Sequence, residues 1–282
     1  MNIFEAIILG IIQGLTEFLP ISSTGHLTVA GKLMNLISLD KPQLWTSFIA
    51  VIQLGTLIAV VIYFRDDILN IIKDFYQDNF LSRKNFSSQS LNSKMGWYLV
   101  IATIPVAVIG LLLKDIIEGT LTKNLYIISA SLIILAVILA VAEKIGKFKR
   151  DMENIKWYDA LVIGLAQSLA LIPGSSRSGT TITAGLFLGL KRETAARFSF
   201  LMSIPAVFAS GMLEFYESLK YIDFNSSINL IIATAASGVV GYLSIEFLLK
   251  YLKRKSTFIF IIYRIVIGII ILFLISNGII NP

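Results

Sequence analysis

The 282-residue chain has no cysteine and a single histidine. The first absence excludes a disulfide framework, a thiolate metal site and a thiol nucleophile. The second leaves one imidazole for any acid–base work. Charge is also scarce: Asp, Glu, Lys and Arg make up 15% of the chain, against roughly a quarter in soluble domains. With 56% hydrophobic residues and a mean hydropathy of +0.79, the composition is that of a polytopic membrane protein. The net charge of +6 does not point to nucleic acid. The basic residues cluster beside apolar runs, as they do at cytoplasmic membrane edges. The N-terminal "MNIFEAIILGIIQG" has no basic leader and carries Glu5, so no cleaved secretory signal is expected.

Six apolar stretches have about the 20 residues needed to cross the hydrocarbon core. They are Thr46 to Phe64, Gly96 to Leu113, Leu125 to Ala142, Phe198 to Tyr216, Ile228 to Leu249 and Thr257 to Ile275. Two further apolar regions are interrupted: Ile3 to Leu36 by "LPISSTGH", and Tyr158 to Leu190 by "IPGSSRSG". Their arms are too short to span alone, which predicts two re-entrant helical hairpins. With Arg65 to Met95 placed in the cytoplasm, 17 of the 24 Lys and Arg residues fall inside. Five fall outside: Lys32, Lys41, Lys114, Lys123 and Lys220. This bias predicts both termini outside.

The two interrupted regions match at an offset of 154. Gly10 meets Gly164, Gln13 meets Gln167, Leu15 meets Leu169, Ser22 meets Ser176 and Gly25 meets Gly179. A one-residue slip aligns Pro20 with Pro173. The expected architecture is therefore all-α: one integral membrane domain over residues 1–282, with repeat halves at about 1–142 and 158–277. Each half holds one re-entrant hairpin and three spans. Three is odd, so the second half is inverted, and the broken helices should meet near the bilayer midplane.

After each break a helix begins, with Ser22 or Ser23 as one cap and Ser175 or Ser176 as the other. Two helix N-termini aimed at one place favour an anion. Arg177 adds donors suited to phosphate oxygens. Ser22, Ser23, Ser176, Ser178, Thr180 and Thr181 add hydroxyls. Glu17 lies one helical turn beyond Gln13 and can pair with Arg177, orient His26, or bind a divalent cation shared with substrate phosphates. His26 lies one turn after Ser23, so it can activate that hydroxyl or attack phosphorus itself. The set Ser23, His26, Glu17 and Arg177 points to phosphoryl chemistry on a membrane-embedded anion. Arg264, in the last span, has two readings, a pair with Glu246 or a snorkelling side chain. The polar segment Ser82 to Lys94 reads as a mobile cytoplasmic connector.

At these residues the sequence resembles the bacitracin-resistance type of undecaprenyl-diphosphatase. The family's first motif, Glu or Gln, three residues and then Glu, matches Gln13 and Glu17 in "QGLTE" and continues into "FLPISSTGH". The second matches "PGSSRSGTT" from Pro173 to Thr181, and "KRETAARFSFLMSIPA" from Lys191 is also similar. The resemblance implies hydrolysis of undecaprenyl diphosphate, dependence on Mg2+ or Ca2+, and a plasma-membrane enzyme opening to the outer face. It also implies a link to peptidoglycan synthesis and bacitracin resistance. By motif position Glu17, Ser23, His26 and Arg177 are the catalytic group. Gln13, Ser22, Thr24, Ser175, Ser176, Ser178 and Thr181 surround the diphosphate. Gln13 stands where a second carboxylate is allowed, which weakens any scheme with two acidic metal ligands.

The expected partners are a polyprenyl diphosphate lipid and the membrane, with a homodimer left open. Another class of membrane lipid phosphatase also uses Ser-Gly-His and Ser-Arg segments, but it needs a second histidine. The serious rival is a transporter or flippase of a phosphate-bearing lipid or anion without hydrolysis, since inverted repeats with broken helices serve alternating access.

Overall fold

The computed structural model describes residues 1–38, 42–218 and 224–282. Lys41 and Lys220, two of the outside cations in the orientation count, lie outside the described residues. The described residues form twelve α-helices, joined by turns, by short 3-10 and π segments and by two longer connections at 77–90 and 146–156, and no strand beyond an isolated bridge between Arg150 and Leu190. In chain order they are α1 (Ile3–Phe18), α2 (Ser23–Leu33), α3 (Pro42–Tyr63), α4 (Arg65–Tyr76), α5 (Leu91–Leu112) and α6 (Lys114–Glu118). There follow α7 (Leu125–Ile145), α8 (Trp157–Ser168), α9 (Arg177–Phe187), α10 (Arg192–Ser218), α11 (Phe224–Leu252) and α12 (Phe258–Ser276). Six of them are long and apolar enough to cross a bilayer: α3, α5, α7, α10, α11 and α12. Each corresponds to one of the apolar stretches read from the sequence.

Local chemistry starts these helices where they start. Asn2 and Glu5 form a reciprocal capping box on α1. Ser90 caps α5, and Asn124 caps α7. The helices then pack in matched pairs, α1 on α11 and α8 on α5, while α3 lies against α10 and α7 against α12. The first two contacts depend on glycines 154 residues apart. A Cβ on Gly10 would sit 2.4 Å from the Ala233 carbonyl oxygen, and one on Gly164 would sit 2.5 Å from that of Ala102. Only a bare backbone lets the helices approach so closely.

One end of the bundle gathers the cations. Arg197 pairs with Asp67 at 2.9 Å, Lys191 with Asp151 at 2.8 Å and Lys253 with Glu193 at 3.3 Å. Arg192 binds Glu143, and Arg150 binds Asp159. At the opposite end the Asn229 amide donates to the Met1 carbonyl at 2.8 Å, and Lys32 donates to the Asn281 carbonyl at 2.9 Å. Both chain termini therefore sit away from the basic end.

The segment Ser82 to Lys94 is not an open connector. Asp78 accepts from Lys84 at 2.8 Å and from the Ser90 N–H at 2.7 Å, and Gln89 and Ser93 are buried with Asn79 in one hydrogen-bonded network. The polar residues that read as loop are mutual partners. Lys84 and the Ser90 N–H hold the Asp78 carboxyl below the usual aspartate range.

Candidate active site

Both breaks are built the same way. Ser22 has φ 77° and its side chain accepts from the Gly25 N–H at 3.2 Å, while Ser176 has φ 69° and accepts from the Gly179 N–H at 3.1 Å. Left-handed φ is rare outside glycine and costs of order 1–3 kcal/mol, so it persists only where the surroundings enforce it. The caps of α2 and α9 are thus Ser22 and Ser176, residues 154 apart, and each helix is 11 residues long. Ser178 ties the breaks together by donating to the Leu19 carbonyl at 3.0 Å.

Arg264 locks the same junction. It is fully buried, and its guanidinium reaches the carbonyls of Pro20 in the first break and of Gly174 and Ser175 in the second, together with those of Ser131 and Leu132 on α7. Neither reading of this residue from the sequence holds. It does not snorkel, and Glu246 is held by Lys250, one turn along the same helix, at 2.6 Å. Helix ends and broken segments leave carbonyls without backbone partners, and a guanidinium has five donors to meet them.

Glu17 joins the two breaks. Its Oε1 accepts from Arg177 Nη2 at 2.9 Å and from Gln53 Nε2 at 2.7 Å. Its Oε2 accepts from the Ser23 hydroxyl at 2.8 Å and from Gln13 Nε2 at 3.1 Å. The carboxylate is buried and all four of its acceptor sites are used. Arg177 also donates to the Ser199 carbonyl at 3.3 Å, and Thr181 holds the Ser199 hydroxyl at 2.6 Å.

His26 stands apart from this cluster. Its Nδ1 lies 2.7 Å from the Ser22 carbonyl, which can only accept, so Nδ1 carries a proton. Its Nε2 meets the Tyr263 hydroxyl at 2.8 Å, and the two rings stack at 5.5 Å. Neither ring nitrogen bonds Ser23 or Glu17.

A cavity of about 420 Å³ opens at the breaks. Of the residues read from the sequence, Glu17, Ser22, Ser23, Thr24, Ser175, Ser176 and Arg177 line it, whereas Gln13, His26, Ser178 and Thr181 stand behind or beside it. Pro105 in α5 and Pro205 in α10 are each followed directly by lining residues, Val106 and Ala107 on one wall and Ala206 and Val207 on the other. From the breaks the cavity extends to Lys114 and Ile117 on α6 and Glu214 on α10, away from the basic end.

The family described as bacitracin resistance protein BacA matches residues 6–270. The chain belongs to this family. Among its curated relatives, a protein of Syntrophobacter fumaroxidans named undecaprenyl-diphosphatase is 56% identical over 268 residues, 95% of each chain. Proteins of the same name from Chloroherpeton thalassium and Chlorobium chlorochromatii are each 52% identical over 291 residues. The first match covers 99% of this chain and 98% of the relative, and the second covers the whole of both.

Four residues here have no site role legible in the sequence alone. Gln53 is a lone amide inside an apolar span, and nothing in its surroundings signals a partner in α1. Tyr263 is 237 residues from His26. Gln167 lines the cavity and was visible only as the repeat partner of Gln13. Arg264 was noticed but given no place in the site. The donor set does not make a resident cation site. No group of three or more His, Cys, Asp or Glu side chains comes together among the described residues, and Glu17 has no acceptor site to spare.

Proposed function

We propose that this chain hydrolyses undecaprenyl diphosphate to undecaprenyl phosphate and inorganic phosphate, regenerating the lipid carrier of cell-wall synthesis and thereby supporting bacitracin resistance. The observation that carries the reading is the Glu17 carboxylate, which holds the Ser23 hydroxyl on one oxygen and the Arg177 guanidinium on the other, at a cavity faced by two helix N-termini. The names of the relatives support it independently.

In this scheme the terminal phosphoryl group sits at the start of α2 and α9, where unpaired first-turn N–H groups favour an anion. Arg177 turns from Glu17 to the phosphoryl oxygens. Glu17 loses its counter-charge and takes the Ser23 proton on Oε2. Ser23 Oγ attacks the terminal phosphorus, the bond from that phosphorus to the bridging oxygen breaks, and undecaprenyl phosphate leaves with the electron pair. Water then attacks the phosphorus of the phosphoserine, the bond from that phosphorus to Ser23 Oγ breaks, phosphate leaves carrying the water's protons, and Ser23 takes back the proton held on Glu17. His26, with Nδ1 fixed on the Ser22 carbonyl, holds the first turn of α2 in place. A divalent cation would be carried in on the diphosphate, with Glu17 giving up one of its four donors to reach it.

The two halves are read as an inverted repeat whose first hairpin, α1 and α2, and second, α8 and α9, enter from opposite faces. Support comes from the shared offset of the caps, the strained serines and the packing glycines, and from the exchange of partners that sets α1 on α11 and α8 on α5. The basic end is assigned to the cytoplasm. The cavity mouth at α6 and both termini then face outward. The apolar wall, including Val106, Leu111, Leu171, Val207 and Leu213, suits a polyprenyl chain.

The test is phosphate release by the purified full chain in detergent, with Mg2+ or Ca2+ and undecaprenyl diphosphate. Release that disappears in Ser23→Ala and Arg177→Ala supports the reading. A wild-type protein that binds the lipid and releases no phosphate with either cation makes it a transporter instead.

A further inference from the structure

Gln167 is 1% exposed, lines the cavity, and neither atom of its amide has a hydrogen-bond partner in the protein. Ser175, which lines the same cavity, is fully buried with an unpartnered hydroxyl, and Arg177 Nε is likewise unpartnered. Three polar groups left without partners around one cavity are unusual, because buried polar groups are nearly always paired.

The repeat explains how Gln167 Nε2 came to be free, while the amide oxygen is unpartnered in both Gln13 and Gln167. Its counterpart Gln13 donates Nε2 to Glu17, one turn later on the same helix. The residue one turn after Gln167 is Leu171, which has no acceptor to offer and itself lines the cavity. In one half the amide is bound to a carboxylate; in the other the carboxylate is missing and the amide is available to whatever occupies the cavity. An amide offers a donor and an acceptor side by side. That pairing suits a phosphoryl group carrying both bare and protonated oxygens, which neither a guanidinium nor a carboxylate can serve alone.

We propose that Gln167, together with Ser175, binds phosphoryl oxygens of the diphosphate in the cavity that Arg177 and the start of α2 also line. This deepens the diphosphatase reading and rests on it. Gln167 positions the substrate without sharing in bond-making.

The experiment compares wild type, Gln167→Leu and Gln167→Glu as full chains in detergent. With undecaprenyl diphosphate, Gln167→Leu raises KM about tenfold or more with kcat within a few-fold of wild type, and Gln167→Glu raises KM further by placing a like charge on the ligand. Inorganic phosphate as a product inhibitor separates the two sources of the same chemistry. A matching rise in its inhibition constant assigns the contact to the terminal phosphoryl group, and a rise in lipid KM alone assigns it to the lipid-side phosphoryl. Thermal unfolding provides the structural control. Leucine replaces a buried amide that has no protein partner, so Gln167→Leu should melt at or above the wild-type temperature. A lowered melting temperature with unchanged KM and unchanged inhibition overturns the proposal. Should wild type release no phosphate at all, the diphosphatase reading fails on its own. Calorimetric titration of inorganic diphosphate into the same proteins still tests Gln167, and equal affinity in all three refutes its role.

Discussion

The Ser23 hydroxyl donates to Glu17 Oε2 at 2.8 Å, across the break that separates α1 from α2. Serine is a weak nucleophile until a neighbouring base takes its proton. Glu17→Gln keeps the shape and removes the base, so phosphate release should fall by about 10²–10⁴-fold, the usual worth of general-base catalysis. The same change leaves Arg177 buried without its anion, which costs about 3–5 kcal/mol in other buried pairs. Ser23→Ala leaves the Glu17–Arg177 pair intact. It should therefore abolish release with little loss of melting temperature. If Ser23→Ala stays active and His26→Ala does not, the nucleophile is the imidazole.

Arg264 holds together three chain segments that otherwise present carbonyls to one another. Arg264→Lys keeps the charge but replaces a five-donor plane with a compact point charge. It should lower the melting temperature markedly and reduce phosphate release, although the side chain lines no wall of the cavity. Unchanged unfolding in Arg264→Lys would show that charge alone suffices there.

The breaks themselves were legible because proline, glycine and serine stand out inside apolar runs, and the 154-residue offset tied the two together. Ser22 and Ser176 could be narrowed to two serines each, since either neighbour could cap. What chose between them is backbone conformation, which composition does not encode. The contacts of Arg264 and Tyr263 were illegible for a different reason. Both depend on which face of α12 meets the breaks, and in a helix apolar on every side the sequence has no pattern to mark that face. Glu246 offered Arg264 a partner in the sequence, but Lys250, one turn from Glu246 on the same helix, takes that carboxylate instead.

The strained caps predict an order of stability. In Ser176→Gly the hydroxyl cap is lost but the positive φ becomes acceptable. In Ser176→Ala the cap is lost and the strain stays, with cap loss alone worth about 0.5–2 kcal/mol. The glycine variant should melt above the alanine variant, and the same order should hold at Ser22. Alanine melting at or above glycine would mean that φ carries no strain at these positions.

Asp78 makes stability depend on pH at the basic end. Its carboxyl is held below its ordinary range by Lys84 and by the Ser90 N–H. A carboxyl lowered in the folded state contributes its full stability above the unfolded value, about 3.9, and loses it as pH falls through the folded value. Asp78→Asn should therefore melt well below wild type at pH 7, and the gap should close as the pH falls below about 4. A gap that persists undiminished at pH 2.5 would assign the loss to packing.

The saturation of Glu17 decides how a cation can act. Four donors already occupy its four acceptor sites, so Mg2+ or Ca2+ alone would have to displace one of them for a single carboxylate ligand. Magnesium dehydrates reluctantly and is normally held by one or two carboxylates together with phosphates. Millimolar Mg2+ without substrate should leave the melting temperature where it was. Mg2+ with a non-hydrolysable polyprenyl diphosphate analogue should raise it more than the analogue does alone, since binding to the folded state stabilises by mass action. EDTA should then weaken turnover without loosening the fold. A melting temperature that climbs with Mg2+ alone would mean that the protein gives up one of the Glu17 hydrogen bonds readily, and that the cation site exists before the lipid arrives.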